Sequence, residues 1–207
     1  MRTDAQLLDA WRTGEATAGR ELFDRHIASV SRFLRGKLDP NAREDLIQSV
    51  FLSCLAPGVS LQGSSSFRAY ILRAARNRLI DHYAARQRQV GRFDPMLQSV
   101  ADAGPSPSVA VARHQQERVL LHGLRMLPLD LQLILELHYW EEFSTAQLAE
   151  VLDIPQGTVK TRLWRARALL RDTLERSERD RTLLEDTLRN IDDWARSLRD
   201  VAIDDDD

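Results

Sequence analysis

Phe23, Ile27, Val30 and Leu34 recur at intervals of four, three and four, and Leu46, Ile47, Val50, Phe51 and Leu55 continue the pattern beyond a break at Pro40. Such intervals put side chains on one face of an α-helix. A third helix is predicted from Phe67 to Arg86, opened by the Gly63-Ser64-Ser65-Ser66 loop, whose hydroxyls can accept from free backbone N–H groups. From about residue 89 to 112 the period fails amid Pro95, Gly104, Pro105 and Pro107, which reads as a flexible linker. A second helical block follows, over residues 115–127, 129–142, 145–152 and roughly 155–171. Alternating Val, Ile and Thr runs are missing, so no strands are expected. The predicted class is all-α: two small helical domains on a tether, with a helical extension behind them.

In the second block, Ser144 and Gln147 fit a capping box that starts a helix at Thr145. Asp153-Ile154-Pro155 makes a short turn, since Asp tolerates the left-handed region and Pro suits the start of the next helix. Val159, Leu163, Ala166 and Leu170 then point one apolar stripe inward, leaving Lys160, Thr161, Trp164, Arg165 and Arg167 on the opposite face. A helix, a short turn and a basic second helix is the arrangement by which a helix-turn-helix enters the major groove. A basic but unoccupied surface helix is the plainer alternative, and a tryptophan beside an apolar stripe is more often partly buried than a DNA contact.

Charge sharpens the picture because it is segregated within a chain of formal net charge -2. The basic helix carries Lys160, Arg162, Arg165, Arg167 and Arg171 with no acid between Asp153 and Asp172. A second basic segment holds Arg68, Arg73, Arg76, Arg78, Arg86, Arg88 and Arg92 against Asp81 alone, interleaved with Phe67, Tyr70 and Tyr83. Aromatics beside arginines suit single-stranded nucleic acid, where bases stack on rings and the backbone meets cations. By contrast, Glu44, Asp45, Gln48 and Ser49 give the preceding helix an acidic and amide face with little use for DNA. One cysteine, Cys54, and five scattered histidines offer no metal-ligand spacing, and no carboxylate pair with a histidine makes a hydrolytic constellation, so neither a metal, a cofactor nor an enzyme is expected. No signal segment or apolar run of membrane-spanning length stands out, which predicts a cytosolic protein.

Three stretches, AREDLIQSVFLSCL, GSSSFRAYILRAARNRLIDHYAARQR and LPLDLQLILELHYWEEFSTAQLAEVLDIPQGTVKTRLWRARALL, resemble the extracytoplasmic-function (ECF) sigma factors of bacterial RNA polymerase, in that family's order and over about residues 4–172. The resemblance implies sigma region 2 over residues 1–88, a linker over 89–112, region 4 over 113–172 and an acidic extension over 173–207. It implies that Glu44, Asp45, Gln48 and Ser49 dock on the beta-prime clamp helices, with the beta flap as a further polymerase contact. It implies that Ser64, Ser65, Ser66, Phe67, Arg73, Arg76 and Asn77 melt and read the minus-ten promoter element, where a base is extruded at a cost of a few kcal/mol. Thr158, Lys160, Thr161, Trp164 and Arg165 fall where the family reads the minus-thirty-five element, with Arg162 and Arg167 on phosphate. An anti-sigma factor is a common partner in the family, though no residue here demonstrates one. Two departures stand out: Ser49 where glutamate is usual, and Asp153 where the turn usually has glycine. A stand-alone helix-turn-helix regulator is the competing reading, and it has no need of the docking helix or the base-capturing loop.

Beyond Arg171 the balance reverses to thirteen acids against six arginines. Leu184, Leu188, Ile191, Ala195, Leu198 and Ala202 keep helical spacing, which predicts an amphipathic helix with an acidic tip. Such a helix either packs on the second domain or covers a basic surface and regulates it.

Overall fold

The computed structural model describes residues 1–56, 66–86, 94–99 and 115–177. Eight helices account for most of them: α1 (Asp4–Arg12), α2 (Ala16–Leu34), α3 (Pro40–Ser53), α4 (Phe67–Arg86), α5 (Gln115–Met126), α6 (Leu129–Tyr139), α7 (Thr145–Leu152) and α8 (Gln156–Ser177). Among the described residues there is no strand, only an isolated bridge between Ser99 and Pro128. The expectation of an all-α chain holds.

Local chemistry explains the helix starts. Thr3 caps α1 in a reciprocal box with Gln6. Asp39 caps α3 by accepting from the Ala42 N–H at 3.0 Å, with Pro40 in the first turn, where its missing N–H costs nothing. Ser66 accepts from the Ala69 N–H at 3.1 Å and opens α4 where the serine loop predicted. Ser64 and Ser65 lie outside the described residues, as does the predicted amphipathic helix over residues 184–202.

In the first half, Leu22, Val30, Leu34, Val50, Phe51, Ile71, Leu72 and Leu79 of α2, α3 and α4 interlock as a core, and Leu7 and Leu8 of α1 close its end. In the second half, α6 is buried along nearly its whole length and α8 lies against α5 and α6. Gly123 on α5 lets α8 approach closely: a Cβ there would stand 2.6 Å from Leu174 Cδ2. The basic helix therefore runs past the expected Arg171 to Ser177, with Leu174 fully buried.

The expected tether needs correcting in one respect. Its described portion, residues 94–99, is ordered against the start of α6, where the N–H groups of Leu129 and Asp130 donate to the carbonyls of Gln98 and Pro95, each at 2.9 Å. The two halves also pack directly on each other through α4 and α7. The linker therefore joins halves that touch in this structure.

Candidate promoter and polymerase interfaces

The turn between α7 and α8 is built from short-range bonds. Ser144 and Gln147 satisfy each other's backbone N–H groups in the predicted capping box. Asp153 then takes φ 55 and ψ 50, the left-handed conformation its side chain tolerates, and the Ile154 N–H returns to the Ala149 carbonyl at 3.0 Å. The Thr158 N–H donates to Pro155 O at 2.8 Å, while Gln156 Nε2 reaches across to Thr145 Oγ1 at 3.0 Å and links the two helices. Val159, Leu163, Ala166 and Leu170 are buried as the periodicity requires.

This fixes what α8 presents. Lys160, Thr161, Trp164 and Arg165 are exposed and Thr158 is half-buried. Trp164 is 71% exposed, so the plainer alternative of partly buried packing does not hold: the ring stands off the protein on the basic face. Arg167 faces inward, donating from Nε to the Tyr139 hydroxyl at 2.8 Å with its guanidinium 5.5 Å from that ring's centre. Arg162 approaches Asp130 Oδ2 at 3.5 Å.

On the opposite flank, Leu46, Val50 and Phe51 turn α3 into the core and leave Glu44, Asp45 and Gln48 exposed, with Ser49 half-buried. Beside that polar face runs an apolar groove lined by Trp11, Phe23, Ile27, Ile47 and Leu52. Phe23, the first residue of the apolar stripe on α2, sits at the groove's rim against the Phe51 ring, with centroids 4.6 Å apart. Leu52 is 56% exposed. Sequence reasoning passed over it, although 44, 48 and 52 are successive fours on one helical face.

The minus-ten set is divided. Asn77 is exposed, whereas Phe67 is buried among core residues, 4.9 Å from the His26 ring and 6.0 Å from Tyr70. Arg73 pairs with Asp153 at 2.9 Å. Arg76 is 8% exposed and clasps Asp130, with Nε on Oδ1 at 3.0 Å and Nη2 on both carboxylate oxygens at 2.8 and 3.0 Å.

Arg76 and Asp130 belong to a buried seam between the halves. Lys37 Nζ donates to Glu136 at 2.6 Å and to the Phe33 carbonyl at 2.7 Å, and Gln132 Nε2 reaches the other Glu136 oxygen at 2.7 Å. Arg32 Nε meets Glu141 at 3.0 Å, and the Ser29 hydroxyl donates to the same carboxylate. Arg68 donates to the Glu141 carbonyl at 2.8 Å and lies over the Phe143 ring. Burial pushes the Glu136 carboxyl above the usual carboxylate range, against the opposing pull of the Lys37 ammonium. Burial also raises the Cys54 thiol to about 11, which leaves it unreactive. No cluster of metal-ligating side chains occurs among the described residues, and no helix there is long and apolar enough to cross a membrane.

These surfaces can be set beside known proteins. Sigma-70 region 2 matches residues 22–89 and Sigma-70, region 4 matches residues 117–170. The ECF RNA polymerase sigma factor SigL of Mycobacterium tuberculosis is 32% identical over 166 residues, spanning 78% of this chain and 91% of that one. The chain belongs to the ECF sigma factors. It is a sigma subunit of RNA polymerase that acts in transcription initiation, with DNA binding through its region 4 helix-turn-helix. The sigma-factor fold recurs in CnrH, solved in complex with the cytosolic domain of CnrY, at a TM-score of 0.53 and 20% identity, over 84% of this chain and 99% of that one. It recurs again in the sigma factor RpoE of Bartonella quintana, solved with the anti-sigma factor NepR, at a TM-score of 0.50 and 23% identity, over 73% of this chain and 91% of that one.

Proposed function

We propose that this sigma factor docks on core polymerase through Glu44, Asp45, Gln48 and Ser49 of α3, and that Phe23 and Leu52 supply the apolar part of the same contact. An acidic and amide row beside a groove with an exposed leucine offers both parts of a protein interface, an apolar centre and a polar rim. Lys160, Thr161, Trp164 and Arg165, with Thr158 at the helix start, read the minus-thirty-five element in duplex form. The side-chain placements that support this put base-reaching and phosphate-reaching groups on one exposed face of α8. Arg162 and Arg167, both engaged within the protein, are less suited to phosphate than the exposed set.

The minus-ten element is assigned to Arg73, Arg76, Asn77 and the serine loop of residues 64–66, with Phe67 buried in the first turn of α4. Residues 1–88 and 113–172 then serve as the two halves of a promoter grip, and the factor opens duplex without making or breaking a covalent bond itself. An anti-sigma protein is a fitting regulator, given the complex of RpoE with NepR, and the extension from residue 173 is a further place for control. The reading places the factor in the cytoplasm with the polymerase.

The observation that carries this reading is the coexistence, in one chain, of an exposed acidic and amide face on α3 and an exposed basic face on α8. The test is co-purification of the full chain with core polymerase. Asp45→Arg should abolish it while leaving helix content unchanged, and retained binding would refute the docking assignment.

A further inference from the structure

The groove beside α3 is an apolar surface open to a partner. Trp11, Phe23, Ile27, Ile47 and Leu52 line a hollow of about 450 Å³, with the exposed side chains of Glu44 and Gln48 on its rim. An exposed apolar patch with a polar rim marks an interaction site, and left bare it is a liability for aggregation.

The chain carries a segment of matching pattern. Beyond the end of α8 at Ser177, Leu184, Leu188, Ile191, Ala195, Leu198 and Ala202 keep the spacing of a single helical face, with Trp194 at its edge. The same spacing sets Arg181, Arg189, Arg196 and Arg199 along one flank of that stripe, with Glu185 and Asp192 between them, and sends Asp186, Asp193 and Asp200 to the face opposite it. An acidic segment is thereby given a cationic edge, suited to a rim that carries Glu44 and Asp45. As a helix, residues 184–202 would extend about 28 Å, the width of a small domain, and residues 178–183 reach ~20 Å further when extended.

We propose that residues 184–202 occupy this groove in the free factor: the Leu184–Ala202 stripe fills the hollow, the arginine flank faces Glu44 and Asp45, and core polymerase must displace the segment in order to dock. The inference rests on the assignment of the α3 face to core polymerase.

An amphipathic helix laid in an apolar groove is held by its buried stripe. The arginines add direction more than strength, because exposed ion pairs are worth little. The α8 face is the poorer counterpart. It attracts the acids but offers Trp164 alone among Lys160, Thr161 and Arg165, so the stripe would stay in water. A segment tethered to its own groove competes at high effective concentration, and the apparent affinity for core is scaled by the fraction of molecules whose groove is bare. Core polymerase therefore still binds the full chain, only more weakly.

The test uses the full chain with Leu188→Asp and Ile191→Asp, which break the stripe and alter no residue of α1 to α8. Affinity for core polymerase should rise about tenfold, a coupling of ordinary size, while duplex binding through α8 stays at the parental level. Cover of the groove is read separately by the alkylation rate of Gln48→Cys, with Asp172→Cys as an exposed thiol on the other half and the buried Cys54, its thiol raised to about 11, remaining unreactive. The stripe variant should speed alkylation at position 48 about fivefold or more and leave position 172 unchanged, at every protein concentration. Unchanged alkylation at position 48, or faster alkylation without tighter core binding, overturns the proposal. Tighter duplex binding would put the segment on α8, and protection that grows with protein concentration would put a second copy's segment in the groove; either result also overturns it. Retention of core binding by Asp45→Arg overturns the docking assignment instead, and because alkylation reads the occupant without polymerase, the two failures are distinguishable.

Discussion

Arg76 of α4 and Asp130 of α6 form a bidentate pair, with three nitrogen–oxygen contacts between 2.8 and 3.0 Å, across the boundary between the two halves of the chain. An arginine that the promoter reading sends to DNA is thus held by a carboxylate whose own half binds DNA elsewhere. The same relationship sets what substitutions on either surface should do.

Trp164 makes little packing, so Trp164→Ala should change stability by no more than about 0.5 kcal/mol, the usual range for a surface site. Binding to the upstream promoter element should fall by about 1 to 3 kcal/mol if the ring and its neighbour Arg165 meet the bases. Thermal melting and gel-shift titration on the same preparation check both halves of this expectation. An equal loss on all duplex sequences would assign the residue to the backbone.

Arg167→Ala should behave in the opposite way. It removes a hydrogen bond to the Tyr139 hydroxyl and a guanidinium from that ring's face, together worth about 1.5 to 3 kcal/mol of stability. Duplex affinity measured below the melting transition should stay near the parental value. A marked drop in the salt dependence of binding would show instead that Arg167 leaves Tyr139 to hold phosphate.

Gly19 lies under the indole of Trp11, where a Cβ would stand 2.4 Å from Nε1. Gly19→Ala must therefore displace Trp11, which lines the α3 groove, at a cost of about 1 to 3 kcal/mol for an overpacked site. Co-purification with core should weaken while duplex binding through α8 is retained. Unchanged co-purification would place the polymerase contact outside the groove.

Much of this was legible in the sequence because it is local. The Ser144–Gln147 box, the left-handed Asp153 and the Val159–Leu163–Ala166–Leu170 stripe each need only a few neighbouring residues, and α4 begins and ends where the serine loop and the apolar period put it. The seam was not legible. Asp130, Glu136 and Glu141 carry no local mark of their burial, and their partners Arg76, Lys37 and Arg32 stand 54, 99 and 109 residues away. Periodicity cannot encode a pairing over such distances, since only the packed chain brings the charges together. The exposure of Phe23 was hidden for a related reason: helical spacing assigns a face to a stripe, but which residue falls at its exposed margin depends on the helix packed beside it.

Reconstitution with core polymerase on genomic DNA, followed by sequencing of transcript starts, tests the central claim most directly. With the full chain, starts should gather downstream of two shared sequence elements at a fixed separation, and Asp45→Arg should erase them. A distribution of starts no different from that of core polymerase alone would contradict the account.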